Sequence, residues 1–360
     1  MKKIRVLLLG AAFSADLHME GYVRNGETAE IVAIADRNTQ AAKELAERYQ
    51  LKDCRICGDF AEALEEVDCD LVDICLPNFL HRDAAVLALG KGRDVVCEKP
   101  LAVSCEAARE MVETAGKTGR HIYYAEDWIY APAIRRAMEI VREGAIGKLL
   151  YLRARESHSG SHSPYVKNLD HCGGGVLLHM AIHPIGLAMA LNENKWTQIM
   201  AATSGGGAEN LLHKDMGGED WAVASMRFEN GAAAVVESNF VTYGGMEDYI
   251  DLYGTEGCLH IDLTFSSPIR CFSLPGVSYA VEKAETTVGW SRPAVDEKYN
   301  IGYVAEITHF LDCCRRGAEA DPGMRGIDGL LALEAVEAAY RSAARGTVIY
   351  PEDMTRENAL

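Results

Sequence analysis

The sequence lacks several features that would each point to a distinct class of protein. It has no apolar run approaching the ~20 residues that a membrane-spanning helix needs. Its 36 Lys and Arg are outnumbered by 53 Asp and Glu, which gives a formal charge of −17. Nucleic acids and anionic membranes are bound by clustered Lys and Arg, so this balance disfavours both as partners. Internal repeats and low-complexity tracts are also missing, which argues against solenoid and fibrous folds.

A disulfide framework is lacking too, although the chain has eleven cysteines. They are scattered through predicted strands and helices, and a chain of 360 residues does not need disulfides for stability. We therefore expect a reducing, cytoplasmic environment. The single CxxC, Cys54 to Cys57, has no second pair or nearby His, so a zinc or redox role is disfavoured.

The hydrophobic pattern changes character along the chain. Up to about residue 123, short apolar runs alternate with helical periodicity, as in 4–9, 31–35 and 71–76 and the segments after each. This alternation predicts βαβ units and a parallel sheet with helices on both faces. After residue 148, strand-like runs joined by turn residues predict a largely antiparallel sheet, with two helices at about 303–316 and 325–344. The length fits two domains, 1–123 and 124–360.

The first strand runs into a turn that could bind a dinucleotide. Gly10, Ala12 and Ala15 occupy the positions of small residues in such turns, but Ala12 stands where a second Gly is usual. A plain strand-turn-helix is an equally good interpretation of the turn alone. Asp36 ends the second strand, where a carboxylate can accept from both ribose hydroxyls and repel a 2′-phosphate. This favours NAD over NADP; the alternative is that Asp36 caps a helix.

Taken together, the motifs resemble the glucose-fructose oxidoreductase / inositol dehydrogenase family, often written Gfo/Idh/MocA. The resemblance covers nearly the whole chain: the modified glycine turn with His18, Asp36, "LPNFLH" at 76–81, "EKP" at 98–100, "GAIGKL" at 144–149 and "GGGVLLHMAIH" at 173–183. It implies an N-terminal NAD-binding Rossmann domain and a C-terminal α/β domain with a large, mostly antiparallel open sheet. It also implies a nicotinamide cofactor, NAD here, a sugar or cyclitol substrate, and assembly into a homodimer or homotetramer through the open sheet.

The cofactor-binding candidates lie at the ends of predicted strands. They are Gly10, Ala12, Phe13, Ser14, Asp36, Arg37, Leu76, Pro77, Asn78, His81, Glu98 and Lys99. The resemblance implies that Lys99 reaches the substrate hydroxyl beside the nicotinamide, where an ammonium stabilises a developing alkoxide. Glu98 is expected to hold the lysine or to contact the cofactor.

The remaining catalytic candidates come from the pattern G-G-G-x-L-x-D-x-G-x-H of the family. This chain has His183 at the final His but His179 where the Asp is expected. A neutral imidazole suits the base that removes a hydroxyl proton, so His183 is the predicted general base. His179 would share a helical face with His183, with a kink at Pro184, and cannot supply the fixed negative charge of an Asp.

Five of the eleven histidines lie between residues 158 and 183. We expect His158, His162, His179 and His183 to bind substrate hydroxyls together with Lys99 and Trp128. A metal site formed by the two pattern histidines with Glu156 or His158 is the less favoured alternative, so no metal is predicted. Trp128 and Tyr130 could stack on a sugar face or belong to the core.

Three functions fit these motifs. The favoured one is an NAD-dependent dehydrogenase that acts on a ring hydroxyl of a sugar, glycoside or cyclitol. The second is a redox-neutral glycosidase or lyase, in which transient oxidation allows elimination; the replacement of the Asp by His179 supports it. The third, a non-catalytic sugar sensor, is disfavoured because Lys99 and His183 are both present.

Overall fold

The computed structural model describes residues 2–161, 163–244, 246–264, 269–277 and 286–356. The chain divides into two compact units: unit 1 comprises residues 1–130 and 302–330, and unit 2 comprises 131–301 and 331–360. No single helix among the described residues is long and apolar enough to cross a membrane. A bent pair, Leu169–His179 with Ile182–Leu191, meets that test only when its two parts, which turn by 54°, are taken together.

Unit 1 contains a six-stranded parallel sheet in the order β3-β2-β1-β4-β5-β6. Its elements are β1 (Ile4–Leu9), α1 (Phe13–Arg24), β2 (Ala29–Ala35), α2 (Thr39–Arg48), β3 (Arg55–Cys57), α3 (Phe60–Glu66), β4 (Leu71–Ile74), α4 (His81–Gly90), β5 (Asp94–Glu98), α5 (Cys105–Thr118), β6 (Ile122–Ala125) and α6 (Asp127–Tyr130). Every residue of β4, β5 and β6 is buried, as expected for parallel strands covered on both faces.

Unit 2 contains a six-stranded mixed sheet in the order β12-β11-β7-β10-β9-β8, in which only β7 and β10 pair in parallel. Its elements up to the return of the chain are α7 (Pro132–Arg142), β7 (Leu149–Ser157), α8 (Leu169–Cys172), α9 (Val176–His179), α10 (Ile182–Leu191), β8 (Trp196–Thr203), β9 (Trp221–Phe228), β10 (Ala233–Asn239), β11 (Glu247–Gly254), β12 (Cys258–Asp262), β13 (Cys271–Ser273), β14 (Gly289–Ser291) and α11 (Glu297–Asn300). The predicted fold class, a Rossmann domain followed by an α/β domain with a mostly antiparallel sheet, is confirmed.

Three helices close the chain: α12 (Tyr303–Arg316), α13 (Gly326–Arg345) and α14 (Pro351–Arg356). The helices predicted at about 303–316 and 325–344 correspond to α12 and α13; α12 lies in unit 1, and most of α13 lies in unit 2. The reason is the packing of α12 on α1. A Cβ atom on Gly21 would lie only 2.6 Å from Cβ of Ile307, and Asn25 donates to Thr308 Oγ1 at 2.8 Å. Helical periodicity predicts a helix but not the surface that the helix covers.

Candidate active site

The turn after β1 allows a close approach between two parts of the backbone. Gly10 has a φ of +103°, and a Cβ atom there would lie 2.3 Å from the carbonyl oxygen of Cys75. Ala12, at the N-cap of α1, is exposed and makes no side-chain cap hydrogen bond. The N–H groups at the start of α1 are therefore not capped by that side chain and could receive a pyrophosphate. Phe13 and Ser14 form the first residues of α1, and Phe13 is exposed.

Asp36 lies beside this turn at the carboxyl end of β2. Its Oδ2 accepts a hydrogen bond from the Ala11 N–H at 2.8 Å, and its Oδ1 accepts from the Asn38 N–H at 2.7 Å. The alternative that Asp36 caps the following helix is wrong, because the side chain that caps α2 is Asn38. Asp36 is half-buried and Arg37 exposed. A carboxylate next to the glycine turn fits the ribose hydroxyls of an adenosine group.

His81 connects two segments that were predicted to line the cofactor crevice. Its buried ring contacts the carbonyl oxygens of Leu76 at 2.8 Å and of Pro100 at 3.0 Å. Leu76, Pro77 and Asn78 are half-buried residues that follow β4, and Pro100 belongs to the "EKP" segment after β5. Burial lowers the pKa of His81, although the two carbonyls oppose that effect. His81 therefore holds the ends of two neighbouring strands together.

Glu98 and Lys99 stand at the carboxyl end of β5, and the bond between Lys99 and Pro100 is cis. Glu98 is 5% exposed, and its Oε2 accepts a hydrogen bond from the Lys99 backbone N–H at 2.9 Å. Lys99 itself is half-buried. The prediction that Glu98 holds the lysine thus has a contact that supports it, made through the backbone of Lys99 and not through its ammonium group.

A buried set of polar groups lies behind Glu98. His18, on α1, has its Nε2 3.2 Å from Glu98 Oε1 and its Nδ1 2.8 Å from Asp73 Oδ2. Tyr22 donates to the same Asp73 oxygen at 2.8 Å. Asp73 belongs to none of the sequence motifs, although an acid inside the apolar strand "LVDI" is itself a signal that a partner must be present.

The two pattern histidines of unit 2 do not lie on one helix, so the prediction that they share a helical face is wrong. His179 ends α9 and His183 is the second residue of α10. Pro184 falls in the first turn of α10, where its missing N–H leaves no intrahelical hydrogen bond unmade. The His179 ring contacts the Cys172 carbonyl oxygen at 3.0 Å through Nε2, and His183 is 3% exposed.

The other substrate candidates differ in their surroundings. His158 follows β7, is 6% exposed, and its ring packs 5.0 Å from that of Phe240. Trp128 and Tyr130 are buried in α6, where the Tyr130 ring meets Phe310 edge-on at 5.9 Å. His162 lies outside the described residues. Among the described residues of unit 2, His, Cys, Asp and Glu side chains form no group of three close enough to share a metal ion, so the alternative ligand set is not assembled there.

Glu219 orders the glycine-rich turn that precedes His179. Its carboxylate accepts from the N–H groups of Gly175 at 3.1 Å and Leu177 at 2.8 Å, and from the hydroxyl of Tyr340 at 2.9 Å. Burial raises the pKa of Glu219, and the Leu177 N–H opposes the increase. The sequence alone does not identify Glu219 as a site residue, since nothing local connects it to a turn 44 residues away.

Comparisons with known proteins agree with this geometry. The sequence model of an oxidoreductase family with an NAD-binding Rossmann fold matches residues 4–126, and that of the GFO/IDH/MocA C-terminal domain matches 134–260. The chain is 26% identical to D-apiose dehydrogenase of Paraburkholderia graminis, over 99% of this chain and 92% of the relative. It is 25% identical to scyllo-inositol 2-dehydrogenase (NAD(+)) of Bacillus subtilis, over 96% and 95%.

The chain is also similar to a relative that is named for a different activity. The chain is 28% identical to 2,7-anhydro-N-acetylneuraminate hydratase of Mediterraneibacter gnavus, over 73% of this chain and 68% of the relative. Among solved structures, GenD2 from gentamicin A biosynthesis, in complex with NAD, superposes with a TM-score of 0.88 and 24% identity, covering 97% of each chain. The chain therefore belongs to the GFO/IDH/MocA family of oxidoreductases, with an NAD-binding Rossmann domain, as its motifs predict.

Proposed function

We propose that the protein is an NAD-dependent dehydrogenase that transfers a hydride between a ring hydroxyl of a sugar, glycoside or cyclitol and the nicotinamide. The observation that carries this proposal is the position of Lys99 at the carboxyl end of β5, with its backbone held by Glu98. In open parallel sheets, ligands bind in the crevice outside the carboxyl ends of the strands. Gly10 and Asp36 follow the ends of β1 and β2 in the same sheet.

NAD is the cofactor that these residues fit best. The Asp36 carboxylate stands beside the turn at Gly10, where it can accept from ribose hydroxyls and would repel a 2′-phosphate. When bound, NAD would supply the acceptor for the hydride that leaves the carbon bearing the reacting hydroxyl. We assign the remaining cofactor contacts to the other residues at strand ends that the sequence predicts to bind NAD.

The proton chemistry is assigned to Lys99 and His183. The Lys99 ammonium stabilises negative charge that develops on the substrate oxygen, and His183 accepts the hydroxyl proton as general base. His179 orients the substrate, because a neutral imidazole can exchange hydrogen bonds with a hydroxyl but cannot replace a fixed carboxylate charge. Trp128, His158 and His162 complete the proposed set of substrate contacts.

The substrate class is supported by the relatives, which are named for dehydrogenation of apiose and of an inositol. A redox-neutral lyase or glycosidase is a second candidate. Two observations favour it: His179 stands in place of the pattern's Asp, and a relative is named as a hydratase. In that reaction NAD would be reduced and then regenerated within one turnover, without net NADH.

One experiment separates the two candidates. The purified protein would be given NAD with apiose, inositols, free sugars and aryl glycosides, and both NADH and released aglycone would be measured. Net NADH from a sugar or cyclitol supports the dehydrogenase. Aglycone released without net NADH replaces it with the redox-neutral reaction, and the absence of both products from every substrate overturns the proposal.

We further propose a cytoplasmic homodimer or homotetramer that contacts neither nucleic acid nor membrane. All eleven cysteines lie among the described residues as free thiols, which fits a reducing compartment. Along β9, β10 and β11, buried residues alternate with half-buried or exposed ones, which leaves one face of the sheet for a second subunit. Sedimentation at micromolar concentration tests the assembly, and a monomer would contradict it.

A further inference from the structure

His18 lies at the centre of a buried path that leads to the peptide of Lys99. The path runs from Asp73 through the His18 ring to Glu98 Oε1, and from Glu98 Oε2 to the Lys99 N–H. The side chains of His18 and Asp73 are 0% exposed and that of Glu98 is 7% exposed. With water excluded, each of these polar groups depends on the next for its hydrogen bond.

The geometry fits a positively charged His18 ring. Both of its nitrogens lie within hydrogen-bond distance of carboxylate oxygens, and an ionised carboxylate can only accept. With both carboxylates ionised, both nitrogens donate, as an imidazolium does and a neutral ring does not. Burial acts to lower the pKa of His18, but the negative charge of Asp73 raises it, and the net pKa lies well above the usual value.

Two further acids, Glu306 and Glu126, interact electrostatically with His18 or with Glu98. Glu306, on α12, has both carboxylate oxygens buried and without a hydrogen-bond partner among the described residues. Burial raises the pKa of Glu306 well above its usual value, against the opposing charge of His18. Burial likewise raises the pKa of Glu126 to about 8, against the charge of Lys99. Glu126 is therefore mainly protonated at pH 7. Tyr22 and Cys75 hydrogen-bond Asp73, and the Tyr303 ring lies 5.6 Å from the His18 ring.

We propose that His18 is a positioning residue for the reaction: its imidazolium keeps Glu98 ionised and oriented, and Glu98 fixes the backbone from which Lys99 extends. The inference rests on the role given to Lys99 in the proposed function. Without His18, two buried carboxylates would lose the cation between them, and Glu98 would rotate or take up a proton. A shift of about 1 Å at a catalytic group can cost on the order of 10²-fold in rate.

The kinetic test is a double-mutant cycle of His18→Gln and Glu98→Gln. If His18 acts through Glu98, each single change lowers kcat by about tenfold or more, and the double variant matches Glu98→Gln alone. NAD affinity of the His18→Gln variant, measured by fluorescence titration, stays within about twofold of native, since His18 is assigned to no cofactor contact. Two results would overturn the proposal: a fold-loss of kcat in the double variant equal to the product of the two single losses, or a His18→Gln enzyme with native kcat.

His121→Gln is the matched control. His121 lies in the same unit and its Nδ1 is 3.4 Å from Asp94 Oδ1, at the opposite end of β5 from Glu98. This variant also removes a histidine near a carboxylate, so it reports the general effect on folding. We expect native kcat and no coupling with Glu98→Gln; a loss equal to that of His18→Gln would show that the effect is only structural.

A measurement on the native protein keeps the inference testable if the variants fail to fold or no sugar is oxidised. In protein labelled with ¹⁵N in its histidine rings, one imidazole should keep both nitrogens protonated at pH 8.5. The Glu98→Gln change should shift that signal. A spectrum at pH 8.5 without such a ring would contradict the charge assigned to His18, whatever the enzyme's substrate. If the doubly protonated ring is present but the protein oxidises no sugar, the charge assigned to His18 stands and only the proposed function is contradicted.

Discussion

Gly175 lies directly against Glu219, so that a Cβ atom added to Gly175 would be 2.0 Å from the Glu219 carbonyl oxygen. The same two residues are joined by a hydrogen bond from the Gly175 N–H to the Glu219 carboxylate, and the Val176 N–H donates to the Glu219 carbonyl. The turn before α9 is therefore fixed to the start of β9. His179 lies in α9, so this contact determines where its backbone sits.

Gly175→Ala should destabilise the protein by about 1–3 kcal/mol, because the obstacle is backbone that cannot rotate away. Gly116→Ala is the control, since a Cβ atom at Gly116 in α5 meets nothing within 4 Å and alanine favours a helix. Urea unfolding of both variants measures the difference. Equal stability of the two would show that the turn adapts easily.

Asp36→Ala should narrow the preference for NAD over NADP. The carboxylate removed by this change is the group that repels a 2′-phosphate in the half-buried crevice. Removal of one such charge is expected to shift the ratio of the two dissociation constants by about tenfold. Titration of the native protein and the variant with each cofactor measures that ratio. Tighter binding of NADP than NAD by the native protein would refute the assignment.

Lys99→Met should lower kcat by on the order of 10²-fold or more while leaving NAD affinity nearly unchanged. The substitution keeps an unbranched apolar stem and removes only the ammonium that is assigned to the substrate oxygen. Lys117→Met, an exposed lysine on α5, is the control for loss of a positive charge. Stopped assays of NADH formation and a cofactor titration would decide; a variant that keeps most of its activity refutes the role.

Substitution of His183 and His179 should have different effects. His183→Ala should abolish activity together with its pH dependence near neutrality, whereas His179→Ala should mainly raise KM. His179→Asp, which restores the residue of the family pattern, should be tolerated. Kinetics across pH 6 to 9 provide the comparison. If both alanine variants instead lose a bound divalent metal, found by elemental analysis of the native protein, the metal-free assignment is wrong.

The sequence predicts the strand ends of unit 1 well because a continuous apolar run marks each buried parallel strand. Asp36 and Glu98 follow or end such runs, and both lie where the pattern predicts. Glu219 and Tyr340 could not be found in this way. They contact Gly175 from 44 and 165 residues away, and no local periodicity reports a partner at such distances. The packing of α12 within unit 1 could not be predicted for the same reason, because the pattern of an amphipathic helix does not show which surface the helix packs against.

The buried carboxyl group of Glu126 should make the stability of the protein depend on pH. Burial raises its pKa from 4.5 to about 8, so between those values the folded protein keeps a proton that the unfolded chain releases. Unfolding then releases a proton, and the free energy of unfolding falls as pH rises through this window, by at most about 1.4 kcal/mol per pH unit from this group.

Glu126→Gln keeps the size of the side chain and cannot ionise, so it should remove that part of the slope. Glu106→Gln, at an exposed position on α5, should leave the slope as it is in the native protein. Urea unfolding between pH 5 and 8 measures all three proteins, and a Glu126→Gln slope equal to the native one would show that Glu126 is ionised throughout.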